Sequence, residues 1–374
     1  MNFYNLLPTK LQIDITSKCN SRCPQCPRTF ESTMMESPHI SQEDFSINLL
    51  NKVLLDPYMK DIQKIFLNGN YGDFVMYDNP KKLIETFLSY ENISNIKINT
   101  NGGAQSKSFW QWLGTHLKVF VEFSIDGLAD THSLYRRNTR YDVVLKNART
   151  FIDAGGTAIW SMVVFEHNEH QIDECRSLAK KYGFKMFNMR PSPRWGKSDG
   201  QWVYDNNYNP LYKIKPATFI DRGNKKLLIS EPTDPELFER AKEQLTNLQA
   251  PLDKVILEDT EDIVDCHAQK ESTIYLGADG RIWPCCWMEI ESDFGFRQRE
   301  PKSFNWYFYN KLGYKKNFNN VNTSNLSDIV YNTKLFSGLQ KLINNNSCDT
   351  CRAFCSKKDR INAKFDATKE KIQT

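Results

Sequence analysis

The chain lacks what membrane-spanning and nucleic-acid-binding proteins need. Its longest nearly unbroken apolar stretch, Ala158 to Phe165, is interrupted by Ser161 and falls far short of the roughly 20 residues that cross a bilayer, so no membrane partner is expected. The opening Met1-Asn2-Phe3-Tyr4-Asn5 has no basic region, apolar run or small-residue cleavage site; no secretory signal is read, and a cytoplasmic location is expected. Excess charge is also scarce: 49 basic against 45 acidic residues leave +4 over 374 residues, with Lys and Arg scattered, so DNA is not an expected partner. Internal repeats and low-complexity tracts are absent, although 318–346 is rich in Asn. What remains, 40% hydrophobic and 25% charged, describes a globular protein of two domains or one large domain with an annex.

A disulfide framework is excluded by the same logic. Ten Cys in a reducing compartment, within a chain long enough to build its core without staples, read as metal ligands. They fall at Cys19, Cys23 and Cys26, alone at Cys175, and again at Cys266, Cys285, Cys286, Cys348, Cys351 and Cys355.

Between these clusters, β-rich runs alternate with helical periodicity. Strands are expected at Leu11–Ile15, Ile62–Leu67, Ile96–Thr100, Val119–Ile125, Ala158–Val164 and Lys185–Met189. One helix is expected to begin at a Ser41 cap with Asp44 three residues on, and to carry Phe45, Leu49 and Val53 on one stripe. Another places Tyr141, Val144, Leu145, Ala148, Phe151 and Ile152 on one face and stops at Gly155-Gly156. A third carries Ile172, Cys175, Leu178, Ala179 and Tyr182, which makes Cys175 a core residue. Repeated strand-helix units imply a parallel sheet. Residues 191–265 read as an irregular bridge, with a helix starting at Asp234-Pro235. Beyond it, Ala278-Asp279-Gly280-Arg281 reads as a hairpin turn.

The first cluster, Cys19-Asn20-Ser21-Arg22-Cys23-Pro24-Gln25-Cys26, has the spacing C-x3-C-x2-C directly after a strand. Three thiolates suit a [4Fe-4S] cube whose fourth iron stays open, whereas structural zinc takes four closed ligands. The competing reading is a zinc knuckle completed from afar.

Several segments in register with this motif resemble the radical S-adenosylmethionine (SAM) superfamily. Asn68-Gly69-Asn70-Tyr71-Gly72-Asp73 stands where that family has a Gly-Gly-Glu-Pro segment, without its Glu, and carbonyls, Asn70 or Asp73 are left to take its role. Asn99-Thr100-Asn101-Gly102-Gly103 is similar to the family's Thr-Asn-Gly segment. Ser124-Ile125-Asp126-Gly127 followed by His132 and Arg136 resembles the subgroup with extra clusters, with Arg137 an alternative to Arg136. Gln25 departs from the aromatic residue the family often has before its third Cys. The resemblance implies Cys19, Cys23 and Cys26 as ligands of the SAM-binding cluster and Asn68, Gly69, Asn70, Asn101, Ser124, Asp126 and Arg136 as SAM-site residues. It also implies reductive cleavage of SAM to a 5′-deoxyadenosyl radical that abstracts hydrogen.

The second cluster reads Cys266-x13-Gly280-x4-Cys285, then Cys348-x2-Cys351-x3-Cys355. Its spacing resembles the SPASM/Twitch auxiliary-cluster domain, as does Asn325-Leu326-Ser327-Asp328-Ile329. The resemblance implies one auxiliary [4Fe-4S] cluster on Cys266, Cys285, Cys348 and Cys351, with Cys355 able to replace Cys351. Cys286 and Cys355 remain as candidate hydrogen-atom donors. A zinc ribbon is the competing reading. His267 is read as a surface or supporting residue. The aromatic segment from Phe294 to Phe318 is either a substrate-binding insertion or packing for the annex.

The fold class expected from these readings is α/β: a partial (β/α)6 radical SAM barrel over 1–190, a bridging segment over 191–265, and a small C-terminal α+β auxiliary-cluster domain over 266–374. The expected activity is radical modification of a ribosomally made peptide or protein side chain by epimerisation, cross-linking or oxidation. An external one-electron reductant of flavodoxin or ferredoxin type is an implied partner. The alternatives are a radical dehydrogenase of a small molecule such as a sugar or aminocyclitol, and a metal-bound scaffold or electron carrier with no radical chemistry.

Overall fold

The computed structural model describes residues 7–217 apart from 39, 193 and 195–198, together with Phe3, residues 225–228, and residues 264–355 apart from 295–305, 316 and 346–347. All six expected strands form: β1 (Lys10–Ile13), β2 (Lys64–Leu67), β3 (Asn95–Thr100), β4 (Val119–Ser124), β5 (Thr157–Val164) and β6 (Met186–Pro191). Helices follow in alternation: α1 (Ile47–Leu54), α2 (Pro80–Leu88), α3 (Lys107–Gly114), α4 (His132–Tyr135) with α5 (Tyr141–Asp153), and α6 (Ile172–Lys181). The fold is α/β with mostly parallel strands, in the order of the partial (β/α)6 arrangement. Among the described residues no helix is long and apolar enough to cross a membrane.

Local sequence explains most of these elements. In α2, Pro80 occupies the first turn, where its missing N–H costs nothing, and Leu83, Ile84 and Phe87 are buried on one face. In α5, Val144, Ala148 and Phe151 are buried, and Gly155 with φ of +99° turns the chain out of the helix. The start of α1 differs from expectation: the helix begins at Ile47 after Ser46, so the expected Ser41 cap and its partner Asp44 lie before it. The Asp44 carboxylate instead takes Thr16 Oγ1 at 2.5 Å and Lys18 Nζ at 3.0 Å, contacts that no helix-start pattern registers.

The chain divides into two compact units, Met1–Lys18 with Pro38–Lys97 and Thr260–Ile361, and Cys19–Ser37 with Ile98–Asp259 and Asn362–Thr374. In the first, β1 lies parallel to β2 on one side and to β10 (Thr273–Leu276) on the other, with Lys10 opposite both Lys64 and Thr273. The expected turn joins β10 antiparallel to β11 (Ile282–Trp283), with Gly280 at φ of +88°. The helices described in this region are α7 (His267–Lys270), α8 (Cys286–Phe294), α9 (Leu326–Asn332), α10 (Leu335–Asn344) and α11 (Asp349–Cys355).

In the second unit, β4, β5 and β6 run parallel, and β9 (Lys225–Leu228) pairs antiparallel with β6. Their register sets two rows of opposite character. Phe123, Trp160 and Phe187 share a row whose aromatic contacts run to Trp110, Phe151 and Phe184, forming the sheet-helix core. One residue further on, Ser124, Ser161 and Asn188 form a polar row on the other face. Within 191–265, where an irregular bridge was expected, β7 (Gln201–Tyr204) and β8 (Pro210–Ile214) form a hairpin. Val203 and Ile214 are buried by it, and its turn through Asp205–Asn209 accounts for the polar run that reads as irregular. The helix expected at Asp234-Pro235 lies outside the described residues.

Candidate functional site

The segment Cys19–Cys26 in the second unit is a tight loop, closed by Cys26 N–H donating to the Cys23 carbonyl at 3.0 Å. Cys23 is buried among Tyr135, Val163, Phe165, Val203 and Ile214, while Cys19 and Cys26 are half-buried. Its sulfurs face N–H donors. Cys19 Sγ accepts from Ser21 N at 3.4 Å and Asn101 Nδ2 at 3.7 Å, and Cys23 Sγ from Arg136 Nη1 at 3.8 Å. Burial pushes the Cys23 thiol up to about 11, against the pull of the Arg136 guanidinium. N–H donors and a nearby cation favour thiolate, the form that ligates metal.

Arg136 is itself held. Its Nε donates to Asp126 Oδ2 at 2.6 Å, and Asp126 Oδ1 accepts Val163 N–H at 2.6 Å. His132 accepts the Asp126 N–H on Nδ1 at 3.2 Å and meets Thr139 Oγ1 through Nε2 at 3.3 Å. Burial lowers its pKa to about 4, so it is a neutral brace at neutral pH. The neighbouring Arg137 turns elsewhere and donates to the carbonyls of Ser32, Thr33 and Tyr204. Ser124 is half-buried at the end of β4, and Asn101 Oδ1 accepts Gly103 N–H at 2.8 Å.

Asn68, Gly69 and Asn70 belong to the first unit. Asn68 O accepts Gln12 Nε2 at 3.3 Å, and a side chain at Gly69 would strike the Asp14 carboxyl. Asn70 Nδ2 reaches Glu289 Oε2 at 2.7 Å, the Cys286 carbonyl at 2.9 Å and Tyr275 OH at 3.1 Å. Asp73 Oδ1 accepts Val75 N–H at 3.2 Å and caps the short turn Phe74–Met76.

The C-terminal cysteines gather in the same unit. Cys266, Cys285, Cys351 and Cys355 line one apolar cavity with Phe3, Trp287 and Leu339. Cys348 is fully buried, and its Sγ accepts Cys351 N–H at 3.4 Å. Burial raises the Cys266 thiol to about 11 and holds the Cys285 thiol well above its ordinary value; at Cys351 the hydrogen bond with Cys348 raises the thiol and burial adds to it. Cys286 opens α8 half-buried. Among the described residues no group of three or more His, Cys, Asp or Glu side chains stands in metal-holding geometry. The residue types are the soft ligands iron–sulfur clusters take: three thiols in one loop, two of whose sulfurs accept N–H donors, and Cys266, Cys285, Cys351 and Cys355 around one apolar cavity, which Cys348 does not line.

Three features were not read from the sequence. Asp14, Tyr275 and Glu289 form a buried polar network with Asn70, although nothing near them in sequence marks it. On the polar face of the second unit's sheet, Asn188 Nδ2 donates to the buried Glu122 at 3.2 Å. Gln25 is buried and tied to Ser192 by a 2.6 Å hydrogen bond. Of the aromatic segment, the described part packs on itself: Phe308 is fully buried and stacks on Tyr314 and Phe318 at centroid distances of 6.4 and 6.1 Å. Trp306 side-chain placement and 295–305 lie outside the described residues.

No protein-family profile matches the sequence, and no curated protein matches it either. Solved structures do resemble the chain. Streptococcus suis SuiB bound to S-adenosylmethionine is 16% identical, with 92% of this chain and 72% of that one covered at a TM-score of 0.53. SuiB bound to its precursor peptide SuiA gives 16% identity, coverage of 92% and 70%, and a TM-score of 0.54. Histidine-tagged anSMEcpe with bound AdoMet gives 16% identity, coverage of 92% and 84%, and a TM-score of 0.54. The chain therefore has the α/β fold of these proteins, whose structures hold S-adenosylmethionine or a peptide.

Proposed function

We propose that this protein is a radical SAM enzyme acting on a peptide or protein side chain. The observation that carries the reading is the loop of three cysteines, two of whose sulfurs face N–H donors, joined to a fold shared with SAM-bound proteins. A [4Fe-4S] cluster held by the three thiolates would bind SAM and, given one electron from an external reductant, would supply a 5′-deoxyadenosyl radical, with methionine as the leaving group, able to remove an unactivated hydrogen.

Within that reading Cys19, Cys23 and Cys26 hold the SAM-binding cluster. Arg136 fixes Cys23 and is fixed by Asp126, and Asn101 supports Cys19, so the ligand loop is preorganised. Cys266, Cys285, Cys348 and Cys351, with Cys355 as substitute, hold an auxiliary cluster in the 266–374 module. An external one-electron reductant supplies the electron. Peptide as substrate class is supported by likeness to SuiB bound to SuiA and to anSMEcpe with the Kp18Cys peptide, the latter at a TM-score of 0.51.

The test is iron and sulfide analysis of anaerobically reconstituted protein beside the Cys19/Cys23/Cys26→Ala variant, followed by SAM cleavage under dithionite. The expected result is about eight irons falling to about four, with 5′-deoxyadenosine formed only by the unaltered protein. Iron unchanged in the variant, or no 5′-deoxyadenosine from the unaltered protein with its iron in place, overturns the reading.

A further inference from the structure

Asn188, on the polar face of β6, is 6% exposed, and its side-chain amide is half used. Its Nδ2 donates to Glu122 Oε1 at 3.2 Å, and Glu122 is itself 3% exposed. A carboxylate offers acceptor oxygens, so this bond sets which way round the amide lies and turns Oδ1 away from Glu122. Oδ1 has no hydrogen-bond partner. A buried acceptor in that state is unfavourable until a ligand brings it an N–H.

Two residues further along the same strand, on the same face and about 7 Å away, stands Arg190. It is exposed, and among the described residues its guanidinium has no ion-pair or hydrogen-bond partner. Its register partner on β5 is Val163, which packs in the buried cluster that holds Cys23. Arg190 therefore lies beside the side chains around the cysteine loop, at the carboxyl end of the parallel strands, the edge where open α/β sheets take their ligands. The pair is polarised, with a neutral acceptor toward the middle of the strand and a cation at its rim. A ligand that satisfies both carries an N–H and, a short side chain away, an anion. An acidic residue within a peptide has that layout, and its planar carboxylate matches the paired donors of a guanidinium.

We propose that the peptide substrate presents an Asp or Glu residue to β6, its main-chain N–H donating to Asn188 Oδ1 and its carboxylate pairing with Arg190. This assignment rests on the peptide-modifying radical SAM reading and names the residue type that such a substrate carries. Arg190 and Asn188 are specificity residues: the first selects the charge, the second fixes the main chain that bears it.

The experiment is fluorescence anisotropy on the full, iron-loaded chain with SAM present, using labelled hexapeptide pools of random sequence in which one central residue is fixed as Asp, Glu, Asn, Gln or the N-methyl form of either acid. Unaltered protein is expected to bind the Asp or the Glu pool about tenfold more tightly than the matching amide pool, the worth of one charge-assisted hydrogen bond. It is also expected to bind that acid's N-methyl pool more weakly than the parent pool. Arg190→Gln is expected to retain iron and SAM and to bind acid and amide pools alike. Asn188→Leu, with iron content unchanged, is expected to keep the preference for acid while no longer distinguishing the N-methyl pool from its parent. No acid preference in the unaltered protein, or a preference kept in Arg190→Gln, overturns the assignment and leaves the radical SAM reading standing. Loss of SAM affinity in Arg190→Gln, as expected if the guanidinium serves the carboxylate of SAM instead, also overturns it. Iron-loaded unaltered protein that binds no SAM overturns the radical SAM reading and the assignment together.

Discussion

Asn70 Nδ2 donates to Glu289 Oε2 at 2.7 Å, joining the loop after β2 to a helix 219 residues further along the chain. Glu289 is 1% exposed and also accepts Tyr275 OH at 2.6 Å. Burial, with the Asp14 carboxyl nearby, holds it well above the usual carboxylate range.

Removing that acceptor should be costly and neutralising it should not. Glu289→Ala strands the buried Tyr275 hydroxyl and takes one of three acceptors from Asn70 Nδ2, and a loss of about 1–3 kcal/mol is expected in urea unfolding. Glu289→Gln keeps an acceptor for Asn70 and Tyr275 and is expected to stay within about 1 kcal/mol of the unaltered protein. Equal losses in the two variants would show that the network contributes through volume alone.

Asp14 gives the protein a pH dependence of definite sign. Burial pushes its carboxyl up to about 7, partly offset by N–H donors from Tyr71, Asn70 and Gly72. Between its ordinary value of 3.8 and about 7 the folded chain keeps a proton that the unfolded chain releases. Its contribution to stability is therefore largest at the acid end, falls as pH rises through that window, and stays lost above it. Asp14→Asn is expected to flatten the difference in urea midpoint between pH 5 and pH 8; an unchanged difference would place the proton elsewhere.

Arg136 and Asp126 should behave as one unit. Asp126 is fully buried and Arg136 is 16% exposed, so removing one leaves a charge uncompensated in the interior. Asp126→Ala is expected to cost about 3–5 kcal/mol in unfolding under reducing conditions. Arg136→Lys supplies a single ammonium where the guanidinium reaches Asp126 and Cys23 at once, and an intermediate loss is expected.

Two glycines separate crowding from backbone strain. A Cβ at Gly72 would run into the main-chain carbonyl of Thr16, which cannot rotate away, whereas at Gly313, with φ of +70°, it would meet nothing within 4 Å. Gly313→Ala should cost only the left-handed strain of about 1–2 kcal/mol. Gly72→Ala should cost clearly more, giving the lower melting temperature of the pair; the reverse order would refute the close approach at Gly72.

Phe308 tests the packing role of its segment. It is fully buried under Tyr314 and Phe318, and Phe308→Ala is expected to lose about 3–5 kcal/mol of stability. A stable variant would return these rings to the role of a free binding surface.

The strands and most helices were legible because their signals are local. The apolar stripe of α5 and the stop at Gly155 stand in adjacent residues, and the sheet could only bury what that stripe presented. The start of α1 was misread for the complementary reason. Ser41 with Asp44 three residues on has the pattern of a helix start, but the distant Thr16 and Lys18 claim Asp44 and the helix begins only at Ile47. The hairpin β7–β8 was hidden by its own turn, whose polar run outweighs two short strands. At the candidate site, the cysteines and the Ser124-to-Arg136 segment are visible as spacing, but their partners are not. That Arg136 and not Arg137 faces Cys23 is decided by which of two consecutive side chains points at the loop.

The sequence by itself determined the alternation of strands and helices and the grouping of thiols at two ends of the chain, since periodicity and spacing are properties of neighbouring residues. Only the tertiary structure decided that β10 lies parallel to β1, that Asn70 answers Glu289, and that Gln25 is buried and bonded to Ser192. Burial and hydrogen bonding depend on which distant segments meet, and residues that meet across more than 200 positions leave no local pattern to read.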